Sequence, residues 1–246
     1  MSNDPSGDLD PALTKSINET GRIRVVTAAK RAGVRKYLFA SSCAVYGAGQ
    51  DMFLAENAPL RPLTVYAQTC ARAEEAVLAL NDRHFATTAL RNATVFGLSP
   101  RMRFDLVVNQ MTLDATNHRR ISIGGDGSQW RPFVHVRDVA KVVLGLLRAP
   151  RPDVAGEVFN VGWDNRQILD VALAIKDRFA GNAQSSSSIP GTTSGTITST
   201  FRRSGTSCTA APRRPSSTGS PRSRRRSAAV GWSRRRPATP SSGTRG

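Results

Sequence analysis

Two residues in this chain have the types and spacing for proton chemistry. Ser42 closes the run Tyr37-Leu38-Phe39-Ala40-Ser41-Ser42, where an apolar segment gives way abruptly to hydroxyls. Tyr66 follows after a loop, at the start of a segment with helical spacing. A phenol titrates near pH ~10 in water, so work near neutrality requires a nearby positive charge or donors that favour phenolate. A serine hydroxyl beside it can orient a substrate hydroxyl or carbonyl. A strand ending at Ser42 and a helix beginning near Tyr66 would bring the two groups together. Serine followed by a distant tyrosine is common, so the surrounding residues must supply the specificity.

The elements that would hold these groups can be read in order. Residues 1–10 are turn-rich and expected as loop. Residues 11–32 carry Leu13, Ile17, Ile23, Val26 and Ala29 at roughly helical spacing, and Gly33 suits a helix stop. Asn18 lies inside that helix, either as a surface polar residue or bonded into the backbone or a water path. Residues 35–41 are expected as a strand buried on both faces. A loop over 47–62 is followed by a helix over 64–85 and a strand over 87–90 that ends at Arg91 and Asn92. Strand, helix, strand with short connections implies a parallel sheet with a right-handed crossover. Beyond it, helices are expected over 104–117, 138–149 and 169–179. Short extended segments are expected over 121–123, 131–136 and 158–161, with a glycine turn at 124–127.

Charge divides the chain. The formal charge is +17, but residues 185–246 hold 12 Arg and no Lys, Asp or Glu. Residues 1–184 therefore carry +5 and read as an ordinary domain. The tail, rich in Ser, Thr, Pro and Arg, has too few periodic apolar residues to offset ordering entropy and is expected to be disordered. A translated frameshift accounts for an arginine- and serine-rich run without acids. Cys43, Cys70 and Cys208 show neither paired nor metal-ligand spacing, so no metal is expected. The polar, acidic first twenty residues do not resemble a signal peptide, and no apolar run approaches the ~20 residues that span a bilayer. A cytoplasmic location without membrane association is expected.

Several ordered motifs raise the specificity. LFASSCAVYG is followed by E-x-x-P-L-x-P-x-x-x-Y from Glu56 to Tyr66, then LRNATVFG, GDGSQWRPFVHVRD and FNVG. Together, over about residues 3–175, they resemble the extended short-chain dehydrogenase/reductase family, in its NAD-dependent epimerase/dehydratase branch acting on nucleotide sugars. The resemblance implies an α/β fold: a partial Rossmann-type doubly wound parallel sheet with a small C-terminal substrate-binding portion and a disordered tail. It divides the domain of residues 1–184 into a Rossmann part to about 95 and substrate-binding elements from about 96. It implies NAD or NADP as cofactor, a nucleotide-diphosphate sugar as substrate, and a homodimer as a possible assembly. By the same resemblance Ser42, Tyr66 and Asn18 are catalytic. Tyr66, Ala40, Ser41 and the position of Cys70 face the cofactor, and Ser42, Thr94 and Arg131 face the substrate. Arg131 would grip the diphosphate, although a surface ion pair is its plainer reading. His135 reads as structural and Asp138 as a helix-start residue.

Two departures stand out. The lysine of the family's Y-x-x-x-K motif is Cys70 here, and a thiol neither binds the nicotinamide ribose well nor lowers the tyrosine pKa. Arg72, close by in sequence, would point elsewhere on the helix. No G-x-G-x-x-G precedes Pro11, where the family's pyrophosphate-binding turn would belong. The expectation is a truncated epimerase/dehydratase with weak cofactor binding and little or no activity. The alternatives are a non-catalytic nucleotide-sugar-binding or scaffold protein and, second, association with nucleic acid through the arginine-rich tail. In the main reading nucleic acid is not a partner.

Overall fold

The fold rests on a three-stranded parallel sheet whose central strand, β2 (Ala86–Asn92), lies between β1 (Lys36–Ser42) and β5 (Glu157–Val161). It is described from a computed structural model, in which residues 3–47 and 54–180 are described; the tail expected over 185–246 lies outside them. A second sheet joins β3 (Thr94–Phe96), β4 (Trp130–His135) and β6 (Asp164–Gln167). In it β3 and β4 run parallel and β6 runs antiparallel to β4.

Alternation along the strands explains the layers. Phe39 and Ala89 point to one face, where they pack with Val26 of α3 (Arg22–Arg31), with Ala73 and Val77 of α4 (Val65–Ala79), and with Phe85. Leu38 and Leu90 point to the other face, against Val139, Val142, Val143 and Leu146 of α6 (Val136–Arg148). Helices on both faces make the sheet doubly wound, as expected. A third core lies between α5 (Val107–His118) and α7 (Ile168–Ala180), around Met111, Phe133 and Ala172. The first strand is also pinned end-on. Lys36 Nζ donates to the carbonyls of Leu147 and Ala149 at 2.8 and 2.5 Å, placing its charge at the C-terminal end of α6. Among the described residues, β1 pairs with β2 alone, and its other edge is open.

Several elements differ from the sequence expectation. The expected N-terminal loop contains a short helix, α1 (Asp4–Asp8): Asn3 Oδ1 accepts from Ser6 N at 3.1 Å and Pro5 sits in the first turn. The residues that signal turns are also good helix caps. The helix expected over 11–32 is present as α2 (Pro11–Lys15), a π-helical stretch (Ser16–Gly21) and α3. The helix expected to reach Phe85 stops at Ala79. Asp82 Oδ1 accepts from His84 N and Phe85 N, turning the chain and setting Phe85 into the core as β2 begins. Ile121 and Ile123 form no strand; their alternation reflects burial beneath α5 and α7, not a hydrogen-bonded ladder. The short strands β3 and β6 have too few residues for a period-two pattern to stand out.

A buried ion pair ties this frame together. Arg91 of β2 and Glu74 of α4 are 6% and 2% exposed, and two guanidinium nitrogens of Arg91 reach Glu74 Oε1 at 3.0 and 2.6 Å. Ser41 Oγ donates to Glu74 Oε2 at 2.6 Å. Arg91 Nη1 donates to Tyr46 Oη at 2.7 Å and to the Glu56 carbonyl at 2.9 Å. Tyr46 Oη donates to Asn160 Oδ1 at 2.6 Å. Removing one partner strands the other charge in the core. Glu74→Ala is therefore expected to cost about 3–5 kcal/mol of unfolding free energy in urea titrations. A loss below about 1 kcal/mol, the range of an exposed pair, would count against the network.

Candidate active site

The site forms where β1 ends and α4 begins. Ser42 is the last residue of β1 and caps the following 3-10 turn (Cys43–Tyr46), its Oγ accepting from Ala44 N at 3.2 Å. Tyr66 is the second residue of α4, whose first turn is closed by Thr64 Oγ1 accepting from Ala67 N at 3.1 Å. The fold brings the Ser42 hydroxyl near enough to the Tyr66 phenol to favour its phenolate. Ligands of open parallel sheets bind outside the carboxyl ends of the strands, and Ser42 stands at such an end.

Cys70 lies one helical turn beyond Tyr66 on the same face of α4 and is 1% exposed. Cys70 and Tyr66 are buried in the same cluster, with Val45 and Tyr46. Burial pushes the Tyr66 phenol well above its ordinary range, and charge on the Cys70 sulfur pushes it further. The Ser42 hydroxyl and the Arg22 guanidinium pull it back. Arg22 opens α3 directly after the π-helical stretch, and its Nη1 donates to Cys70 Sγ at 3.2 Å.

Other expected site residues divide into those near the phenol and those held elsewhere. Asn18 is 2% exposed inside the π-helical stretch, so it is not a surface residue. π-Helical turns often occur at functional sites. Ala40 is exposed on β1. Ser41 commits its hydroxyl to Glu74. Thr94 begins β3, opposite Phe133. Arg131 is exposed on β4 and hydrogen-bonds the Trp130 carbonyl at 3.3 Å; its charge reaches Cys43, beside Ser42. Arg72 points away, as expected, onto Glu19 at 3.2 Å. His135 plays a structural part. Its ring packs edge-on to Phe96 at 5.3 Å, and its Nδ1 accepts from Arg137 N.

The N-terminal helix helps to fix the phenol. A Cβ on Gly7 would lie 2.9 Å from Tyr66 Cβ, so only glycine fits this contact. Asp4 accepts a hydrogen bond from Thr64 Oγ1 at the start of α4. Asn3 Nδ2 donates to Asp105 at 3.0 Å, and Asp105 holds Arg103, whose charge is felt at Tyr66.

With this geometry in place, the chain can be set beside known proteins. The model of the NAD dependent epimerase/dehydratase family matches residues 2–162. The chain belongs to that family. It is 31% identical over 159 residues to the dTDP-D-glucose 4,6-dehydratase of Mus musculus, a match covering 64% of this chain and 43% of that protein. The solved structure of MoeE5 in complex with UDP-glucose and NAD is 30% identical, with a TM-score of 0.59, over 65% of this chain and 54% of that one. A UDP-N-acetylglucosamine 4-epimerase from Methanobrevibacter ruminantium M1, solved with UDP-N-acetylmuramic acid, is 26% identical. Its TM-score is 0.62, over 72% of this chain and 57% of that one. The chain thus spans about half the length of the relatives it matches. The family membership and the Rossmann-like parallel sheet agree with the sequence resemblance. No helix among the described residues is long and apolar enough to cross a membrane.

Sequence reasoning missed Arg22, Arg103 and Cys43 as neighbours of the phenol. Arg22 had one signal, its position four residues after Asn18. Arg103 and Cys43 reach the site through a loop and a 3-10 turn, which carry no periodic pattern. Burial raises the Cys43 thiol from its ordinary value to about 11, partly countered by Arg131. At pH 8 that leaves about 100-fold less thiolate than an unperturbed cysteine has. Alkylation of Cys43 by iodoacetamide, followed by mass spectrometry of its peptide, should be slower by about that factor at pH 8. The rate should climb as pH rises through 11. Rapid labelling at pH 8 would contradict the burial argument.

Proposed function

We propose that this chain carries the proton-exchange centre of an NAD(P)-dependent epimerase/dehydratase acting on a nucleotide-diphosphate sugar, in a form with weakened cofactor binding. The observation that carries the reading is the placing of Ser42, at the carboxyl end of a parallel strand, beside Tyr66 in the first turn of α4. The residues present suit the nicotinamide end of the cofactor. Ala40 is exposed on β1, the Ser42 hydroxyl closes that strand, and the Tyr66 phenol comes from the first turn of α4. NAD(P), when bound, takes up hydride from a sugar carbon and can return it. Tyr66 exchanges a proton with the sugar hydroxyl at its phenol oxygen, and Ser42 orients that hydroxyl.

Substrate recognition follows from two further residues. Arg131 offers an exposed planar fork of donors suited to a diphosphate. Thr94 begins the strand beside it and supplies a hydroxyl toward the nucleotide sugar. Asn18, buried in the π-helical stretch, completes the polar set. MoeE5, solved with UDP-glucose, makes that compound a suitable first probe. A homodimer belongs to the same reading: Leu9, Leu13 and Ile17 are exposed apolar residues of the first elements, surface that a second copy would cover.

Cys70 accounts for the weakened cofactor binding, because a thiol offers the nicotinamide ribose no cationic donor. Titration of the full chain with NAD, followed by tryptophan fluorescence, is expected to show no saturation at micromolar concentration. Saturable micromolar quenching would reject weakened binding. With UDP-glucose and millimolar NAD, slow hydride transfer read at 340 nm should fall at least about 100-fold in Tyr66→Phe. Unchanged turnover in that variant would remove Tyr66 from the reaction.

A further inference from the structure

In this family's Y-x-x-x-K pattern one lysine holds the cofactor ribose and also places a positive charge beside the tyrosine. Here that position is the buried Cys70, and the two duties separate. The charge is still present, but it comes from another helix. Arg22, the first residue of α3, lays its guanidinium against the Cys70 sulfur, with Nη1 at 3.2 Å. Its other face lies over the Phe39 ring, 5.5 Å from the centroid. The guanidinium is thus held by an aromatic ring and a sulfur, not by a carboxylate.

The neighbouring charges single it out. Tyr66 faces Cys70 and Arg22, Ser42 at the strand end, and Arg103 from the loop before α5. Arg103 is tied to Asp105, with Nε at 2.7 Å from Oδ1, so much of its charge is spent. Asp4 of α1 is engaged by Thr64 at the start of α4. Among the described residues no carboxylate pairs with Arg22. The π-helical stretch runs directly into Arg22, the first residue of α3.

We propose that Arg22 is the positioning residue that replaces the missing lysine's charge, acting on the Tyr66 phenol across the Cys70 thiol. The effect of Arg22 on the phenol is in the required direction, favouring phenolate. This inference rests on Tyr66 as the proton-exchanging group, and it concerns the charge alone, not the ribose grip. It divides the consequences of the cysteine: cofactor affinity suffers, while proton exchange keeps its electrostatic support.

The test reads the phenol directly. Tyrosine replaced by trifluorotyrosine, in the full-length chain, gives separate fluorine-19 resonances for each of the three tyrosines, and ring fluorination lowers the phenol pKa so that Tyr66 titrates where lysine is still charged. Tyrosine-to-phenylalanine variants assign them. In Arg22→Gln the Tyr66 titration is expected to move up by about one pH unit or more. In Arg22→Lys, which keeps the charge, it should stay within about half a unit of the unmodified protein. In the double variant Arg22→Gln with Cys70→Lys, the cation is restored in the family's own position and Tyr66 should titrate no higher than in the unmodified chain. Tyr46, whose cation is Arg91, should not move in any of them and reports an intact core. An unmoved Tyr66 in Arg22→Gln, with Tyr46 unchanged, overturns the proposal. Should Arg22→Gln fail to fold, the lysine variant decides: a rise of a full unit there also overturns it. The titration needs neither cofactor nor sugar. Unmoved resonances with turnover lost in Tyr66→Phe therefore defeat only this inference. Shifted resonances with turnover unchanged in Tyr66→Phe defeat the proposed function instead.

Discussion

The site depends on the buried bond between Arg91 and Glu74. Two full charges taken out of water are costly unless every remaining donor and acceptor is engaged. Here they are widely engaged. Glu74 accepts from Arg91 and from Ser41, while Arg91 also serves Tyr46 and the Glu56 carbonyl. Glu56 in turn accepts from Asn160 N through its side chain. One pair thus joins β1, β2, β5, α4 and the loop that leads into α4. The hydroxyl of Ser41 is held downward, and the next residue, Ser42, must point the other way, because successive strand residues alternate. The direction of the candidate catalytic serine is therefore set by its neighbour's bond to a carboxylate.

The other half of the site is set by helices. Tyr66 takes its place from the capped first turn of α4 and from the close approach of Gly7. Burial makes the phenol a weak acid, and the residues around it act in opposite directions on that weakness. Cys70 disfavours the phenolate and Arg22 favours it. At the phenol, a thiol at the family's lysine position and a guanidinium from a neighbouring helix thus act in opposite directions.

The sequence made the strand at Tyr37–Ser42, the crossover to β2 and the pairing of Ser42 with Tyr66 legible, because buried strands and helix starts leave strong local signals. The short strands β3 and β6 were not legible, since three or four residues cannot establish a period. Ile121 and Ile123 misled because alternation records burial, and helices can bury a loop as well as a sheet can. Arg22 was hidden for a different reason. Its role arises from packing between two helices 48 positions apart in sequence at the Arg22–Cys70 contact, and nothing local announces it. The family motif drew attention to Cys70, while the charge nearby could be found only in three dimensions.

The open edge of β1 has a consequence for how the site is completed. The strand that ends in Ser42 is also an edge of this sheet, since its outward amides and carbonyls have no ladder partner among the described residues. A strand added in parallel there would end beside Ser42 and Ala40. Enlarging the sheet and walling the reaction centre would then be a single event, so the chemistry and the architecture share one boundary.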